Sequence, residues 1–428
     1  MQPINALSNH LTTPVGQARL TELYGKEGIN DAVKRINGML KNYQTAFDKT
    51  GDHTVALLSA PGRTELGGNH TDHQHGSVLA ASVNMDMLAV AAPTGDSTVS
   101  VLSEGYPPFT LDLSDLTPQA GEKESPGSII RGMAAGFAAK GFAVGGFTAY
   151  ITSDVPPGSG VSSSAAFEVL IGNVLNTLFC ESQVDAVKIA KIGQYAENNF
   201  FGKPSGLMDQ MASSVGGVIA IDFQDNANPI IEPVAFDFDA ACHTFFIIDS
   251  GADHADLTDA YGDITTELAQ VSGYFGKKVL REVDPAEFYQ AMPILREKFG
   301  DRAVLRGIHF FDETVRAKDK ANALRNGDFD TYLRLVNASA KSSGLYLQNL
   351  AVEGAVRHQD VTVAIGYAEH LLGGRGAVRV HGGGFAGTIQ AFVPNDLADG
   401  FMGDMEALLG TGKCHKTKIR PIGGCEVC

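Results

Sequence analysis

An α+β protein built as two domains is the fold class this sequence predicts, and three observations carry the prediction. At 428 residues the chain exceeds what one ordinary hydrophobic core sustains. Strand-like runs crowd the first half, whereas helical periodicity dominates the second until a closing pair of strands at 376–380 and 388–393. Between them, 224–233 turns polar and proline-bearing, which marks the expected boundary and gives units 1–225 and 226–428.

The elements follow in order. Leu20, Leu23, Ile29, Val33, Ile36, Leu40 and Tyr43 recur at helical spacing, so 16–49 is expected to be helical. A strand at 54–59 runs into the turn-like Ala60-Pro-Gly-Arg63, and alternating runs at 83–92, 98–103 and 109–113 read as further strands. A helix at 128–140 and an aromatic and β-branched strand at 147–153 come next. Residues 165–179, apolar nearly all round, form a buried helix. Two more helices precede Gly202, and strands are expected at 218–223 and 244–248. Helical patterns then occupy 285–299, 304–324, 329–343 and 359–372, and the closing strands form a hairpin covered by helices on one face.

Bulk properties narrow the function. Apolar residues make up 44% and charged residues 19%, a globular composition. A formal net charge of −16 argues against a sequence-independent nucleic-acid binder, which needs a basic surface. Residues 1–10 lack the basic start and apolar core of a signal peptide, and no uncharged apolar run reaches membrane-spanning length, so a cytosolic protein with no membrane partner is expected. Five cysteines do not suggest a disulfide scaffold. Cys425 and Cys428 form a C-x-x-C near Cys414 and His415, but without a second such pair the expected reading is reduced thiols on a terminal strand and tail.

The strongest chemical signal is Val155-Pro-Pro-Gly-Ser-Gly-Val-Ser-Ser-Ser-Ala-Ala166, small residues set between a strand and the buried helix. Backbone N–H groups there, with the positive end of the helix dipole behind them, suit phosphate. It is not a Walker A loop, because no Lys occurs between Lys140 and Lys188. A dinucleotide fingerprint also fails: Gly158 and Gly160 are followed by Ser163, and the segment after the helix has helical rather than strand spacing.

Two further glycine-rich segments accompany it in fixed order, Pro61-Gly-Arg-Thr-Glu-Leu-Gly-Gly-Asn-His-Thr-Asp72 and Arg379-Val-His-Gly-Gly-Gly-Phe-Ala-Gly387. The trio resembles the three motifs of the GHMP kinase superfamily. The first segment, with Gly-Arg at its head and His-Thr-Asp at its end, looks like the galactokinase signature, and Gly206-Leu-Met-Asp-Gln210 resembles the galactokinase segment bearing the catalytic aspartate. The similarity runs from about Ala60 to the C-terminus.

That resemblance implies a two-domain GHMP kinase fold, with a ribosomal protein S5 domain 2-like N-terminal domain and a ferredoxin-like C-terminal domain. It implies a cytosolic kinase moving a phosphoryl group from ATP to the anomeric hydroxyl of a sugar, galactose first, with Mg²⁺ present. Asp209 matches the proposed base and Arg63 the partner that stabilises transferring charge. Gly158, Ser159, Gly160, Val161, Ser162, Ser163 and Ser164 would cradle the nucleotide phosphates, and Ser164 with Glu197 would hold Mg²⁺. His70, Asp72, Gly206 and Tyr261 would meet the sugar, together with Asn69, which stands where the family usually has a Glu facing the C6 hydroxyl. That departure keeps galacturonate, an amino sugar or a pentose open as alternative acceptors. A non-turnover sugar and ATP sensor is a further alternative, against which the intact Ser162-Ser-Ser-Ala-Ala166 speaks. A monomer is expected. Taken alone, His70, His73 and His75 read as turn or surface histidines rather than metal ligands, and the role of His381 does not follow from the sequence.

Overall fold

The computed structural model describes the chain except residues 52, 157–159, 204, 252–256 and 386. The short strand β1 (Gln2–Pro3) and helix α1 (Ile4–His10) lead into α2 (Pro14–Phe47), which breaks at Gly25, where φ is 71°. Seven strands then build the first sheet: β2 (Thr54–Gly67), β3 (Ser77–Pro93), β4 (Thr98–Ser103), β5 (Phe109–Asp112), β6 (Phe147–Ser153), β7 (Val218–Asp222) and β8 (Ile230–Pro233). Its main path runs β1-β2-β3-β6-β4-β5, with β7 on the far part of β3 and β8 beside β7; β4 runs parallel to β6 and the other pairs are antiparallel.

Alternation along the strands decides which layer each side chain joins. Leu88, Val90 and Ala92 of β3 pack with Ile36, Leu40 and Tyr43 of α2 on one face. Ala89 and Ala91 point the other way, into a core with α3 (Pro126–Ala139), α4 (Ser163–Phe179) and α5 (Ala186–Ala196). The helix α6 (Met208–Val215) packs beside them, against β3 and β7.

The second sheet has strand order β10-β11-β9-β12, from β9 (His243–Asp249), β10 (Ala377–Val380), β11 (Thr388–Pro394) and β12 (Cys414–Thr417), all antiparallel. Helices α7 (Thr258–Tyr274), α8 (Pro285–Arg325), α9 (Phe329–Ser342) and α10 (Asp360–Leu372) lie between β9 and β10, and α11 (Ala398–Leu409) lies between β11 and β12. A β-α-β-β-α-β order in this register is the ferredoxin-like arrangement. Phe246, Ile248, Val378 and Ile389 meet α10 and α11 on the outer face. Phe245, Ile247 and Phe392 on the inner face join Leu66 and Val218 of the first sheet, Val161 of the loop before α4, and Ala321, Tyr332 and Val336 of α8 and α9. The phosphate loop is thus seated over the core shared by the two sheets. After β12 the chain returns, and β13 (Cys425–Glu426) pairs with β2.

Several sequence expectations shift. The strand expected to end at residue 59 continues to Gly67, because register irregularities at Pro61/Arg63 and Glu65/Gly67 let it stay paired through the glycines. The strand expected from 83 starts at Ser77. The two helices expected at 285–299 and 304–324 are the arms of α8, which turns at Gly300 with φ 85°. Helices α7 and α11 were not foreseen: Ile264, Leu268 and Val271 of α7 have helical spacing, but Gly262 and the β-branched Thr265 and Thr266 obscure it. The stretch 224–233, expected to be a polar divider, supplies β8 to the first sheet.

Candidate active site

The centre of the site is Arg63 on β2. Its Nε and Nη2 each donate to one carboxylate oxygen of Asp209 at 2.6 Å, a two-pronged pairing that fixes both planes. A third donor, Nη1, bonds the Gly160 carbonyl, and the Arg63 backbone N–H donates to Val161 O at 3.0 Å. The phosphate loop is therefore stitched to β2 by main chain and side chain together. Asp209 stands in the first turn of α6, whose Ser213 Oγ donates to Pro61 O at 2.6 Å and so ties that helix to the same strand.

Ser162, just before α4, adopts a left-handed φ of 59°, a conformation that costs a non-glycine residue about 1–2 kcal/mol. Its hydroxyl donates to Asp209 Oδ2 at 2.6 Å, a contact the sequence reading, which assigned Ser162 to the phosphate cradle, did not foresee. Burial alone would raise the Asp209 pKa; the Arg63 charge, its hydrogen bonds and the Ser162 hydroxyl outweigh burial and hold the carboxyl below its usual value. Asp209 is thus an ionised acceptor at neutral pH. Of the remaining loop residues, Val161 is buried, Ser163 opens α4, and Ser164 is exposed one residue further on; Gly158 and Ser159 lie outside the described residues.

Glu197 is buried where α5 passes into the π-helical turn Glu197–Phe201. Gln210 Nε2 donates both to Glu197 Oε2 and to Glu168 Oε2, each at 2.9 Å, and Lys203 Nζ lies 3.7 Å from Glu197 Oε1. Glu168 Oε1 and Gln210 Oε1, also buried, have no hydrogen-bond partner among the described residues. Burial and then the neighbouring Glu197 carboxylate raise the Glu168 pKa well above its ordinary value.

The expected sugar residues separate into two groups. Asp72 and Gly206 are in contact: a Cβ built on Gly206 would fall well inside van der Waals distance of Asp72 Oδ2, so the missing side chain gives the Asp72 carboxylate its room. His70 and Tyr261 stack with ring centroids 6.3 Å apart, and both hold the third glycine segment. His70 Nε2 donates to Gly383 O at 2.7 Å and Tyr261 OH donates to Gly384 O at 3.1 Å. Burial lowers the His70 pKa, so its ring is neutral.

Asn69 departs from the expectation that it lines the sugar pocket. It is fully enclosed, its Nδ2 donating to Glu65 Oε2 at 2.9 Å and Gly382 O at 2.6 Å, and its Oδ1 accepting from Asn349 Nδ2 at 2.8 Å. A fully enclosed amide with every strong bond made by protein has nothing left for a ligand. Its task is to bind the glycine segment to β2. Beneath it, Glu65 pairs with Arg379 of β10, and Glu313 of α8 takes hydrogen bonds from Gly68 N and Ser339 Oγ, with Lys320 Nζ 3.6 Å away. Sequence reasoning missed this layer, although Glu65 and Arg379 sit inside two of the motifs it singled out. An acid in one glycine segment and a base in another was the available signal.

Known proteins resemble this arrangement at the levels of sequence and fold. Residues 128–217 match the model for the GHMP kinases N terminal domain, and residues 41–93 match the galactokinase galactose-binding signature. The chain is 29% identical over 394 residues to a galactokinase of Limosilactobacillus reuteri (strain DSM 20016), covering 89% of this chain and 94% of that protein. Its fold superimposes on Lactococcus lactis galactokinase complexed with galactose with a TM-score of 0.78 at 24% identity, covering 92% of this chain and 100% of that one. An L. major mevalonate kinase in complex with R-mevalonate gives a TM-score of 0.58 at 14% identity, covering 87% of this chain and 97% of that chain. The ordered motifs, the fold and these likenesses agree: the chain is similar to galactokinases and, more broadly, to GHMP kinases.

Proposed function

We propose that this enzyme transfers the γ-phosphoryl group of ATP to the anomeric hydroxyl of galactose, giving galactose 1-phosphate and ADP. The observation that carries the reading is the Arg63 fork on Asp209, pressed against the loop at Gly160–Ser162. The hydroxyl oxygen forms the new bond to the γ-phosphorus, the bond to the β,γ-bridging oxygen breaks, and its electrons leave with ADP. The hydroxyl proton passes to Asp209. Because such transition states are loose, much of the benefit lies in holding the hydroxyl in line rather than in deprotonating it early. Arg63 has five N–H donors and uses three side-chain bonds on Asp209 and Gly160, so two remain for the charge that builds on the transferring group.

Gly158 to Ser164 hold the nucleotide phosphates in this reading, and His70, Asp72, Gly206 and Tyr261 surround the sugar. Asp72 supplies directional acceptors: one oxygen takes the His73 backbone N–H at 3.0 Å and the other faces Gly206. Ser164 and Glu197 fit Mg²⁺, since a hydroxyl and a carboxylate suit a hard cation that keeps several waters, and Glu168 Oε1 and Gln210 Oε1, unpartnered among the described residues, lie in the layer that Gln210 bonds to Glu197. When bound, that ion neutralises phosphate charge. The enclosure of Asn69 removes the reason to expect an acidic or altered C6 group, so galactose is preferred over galacturonate, an amino sugar or a pentose, and the assembled pair favours turnover over sensing. The reading is completed by units 1–225 and 226–428, with β8 and β13 of the second completing the first sheet, and by a cytosolic monomer acting on two small molecules. No helix among the described residues is long and apolar enough to cross a membrane.

Incubating the purified protein with Mg-ATP and a panel of monosaccharides, while following ADP release, tests the reading. Galactose is expected to give the largest kcat/KM. Absence of turnover with every sugar removes it.

A further inference from the structure

His381 closes β10 and opens the third glycine segment, and nothing described so far gives it a task. It is enclosed, and it touches three parts of the site at once. Its Nε2 accepts from the Glu65 backbone N–H at 3.3 Å, with Thr64 Oγ1 at 3.0 Å. Its Nδ1 lies 2.9 Å from Thr388 Oγ1 on β11. The His381 N–H also bonds Thr388 O at 3.0 Å, which closes the hairpin around the ring. A backbone N–H can only donate, so Nε2 is the bare nitrogen and Nδ1 carries the proton given to Thr388.

The same ring and the Thr388 hydroxyl form the floor under the phosphate loop. A Cβ on Gly160 would collide with Thr388 Oγ1 and come within 3.1 Å of His381 Nδ1. Gly160 therefore rests directly on this pair, with φ 70°, and its carbonyl is the one Arg63 Nη1 binds. Burial, then the Arg63 and Arg379 guanidiniums, hold the His381 pKa well below the ordinary imidazole value against the pull of Asp209. The ring stays neutral beside two fixed cations.

We propose that His381 is a positioning residue for phosphoryl transfer: as the Nδ1–H tautomer it joins β2 to the β10–β11 hairpin and supports Gly160, setting where Arg63 holds Asp209. The chain thereby uses one imidazole to register all three glycine segments against one another. The proposal rests on the phosphotransferase reading, and its test keeps the two separable.

Two substitutions divide the ring's functions. Gln can place an acceptor where Nε2 lies, whereas Asn can place a donor where Nδ1 lies but leaves the Glu65 N–H unanswered. His381→Asn is expected to lower kcat about 10²-fold, the scale of a small displacement of reacting groups, with the galactose KM little changed. His381→Gln is expected to recover kcat to within about 3-fold of the natural enzyme, the scale of one imperfect hydrogen bond. Crystal structures of both variants supply a readout independent of turnover: the Arg63 fork should leave Asp209 in the Asn variant and remain in the Gln variant. Equal kcat in both variants, or an unmoved Gly160 and Arg63 in the Asn variant, would overturn the proposal. If the natural enzyme phosphorylates no sugar, the kinase reading falls while the two structures still decide the role of His381.

Discussion

Arg63 and Glu65 stand two residues apart on one strand, each in an arginine–carboxylate pair, yet the two pairs do opposite work. Arg63–Asp209 reaches solvent through its acid, with 29% of the Asp209 side chain exposed. Glu65–Arg379 is sealed, with Arg379 wholly enclosed and 3% of the Glu65 side chain exposed. The outer pair has spare donors and an accessible acceptor, so its bonds can be redistributed when a hydroxyl and a phosphate arrive. The inner pair shares its cavity with Asn69, Glu313, Lys320 and His309, and can only hold shape. Even so, Arg379 Nε and Nη1 find no partner among the described residues, so the inner layer holds its charge at a cost. On the proposed reading, position relative to solvent, not the chemistry of the pair, separates catalysis from scaffold.

If that contrast is right, breaking each pair must fail in a different way. Asp209→Asn should cut kcat by about 10²–10⁴-fold in steady-state assays, while ATP still binds by calorimetry and the unfolding midpoint barely moves. Breaking the inner pair should damage stability first. Arg379→Met leaves Glu65 buried and unpaired, a loss of about 3–5 kcal/mol by urea titration. Adding Glu65→Gln should recover much of it, because an uncharged pair needs no counter-ion. If both single variants instead lost activity at full stability, the division between the pairs would be wrong.

A third prediction sharpens the outer pair through pH. Burial tends to raise the Asp209 pKa and Arg63 more than reverses this, so the natural enzyme should lose its base only well into the acid range. In Arg63→Met the opposing charge is gone and burial remains, so the acid limb of a kcat/KM profile should move to higher pH. A further effect, on stability alone, belongs to Lys320. Burial lowers its pKa from 10.5 to about 7, against the pull of Glu313. Between those two values the unfolded chain binds a proton that the folded chain lacks, so folding stability should rise as pH rises through that window and be level below it. Lys320→Met should flatten the rise, as read from urea midpoints at several pH values.

The outer pair was legible in the sequence and the inner one was not, for a physical reason. Arg63 and Asp209 lie in segments that resemble galactokinase motifs, and the phosphate loop shows itself by its run of small residues. Buried charges such as Glu313 and Lys320 sit at ordinary helical positions in α8 and look like solvent-facing residues until their surroundings are known. Asn69 was expected at the sugar because it stands where the family usually has a Glu, whereas its partners Glu65, Gly382 and Asn349 come from three segments that only the fold brings together. His381 needed contacts from β2, β11 and the phosphate loop, which are remote in sequence. Helix α7 escaped because its buried apolar positions Ile264, Leu268 and Val271 are separated by residues that favour other conformations.

The central claim is that the Arg63–Asp209 pair delivers the phosphoryl group of ATP to the anomeric oxygen of the sugar. Phosphorus NMR of the natural enzyme with Mg-ATP and galactose, run beside Asp209→Asn, reads that atom directly. The account predicts that the natural enzyme yields a phosphate resonance coupled to the anomeric proton and that the variant yields almost none. A phosphate on another sugar oxygen, or equal product from both proteins, would contradict it.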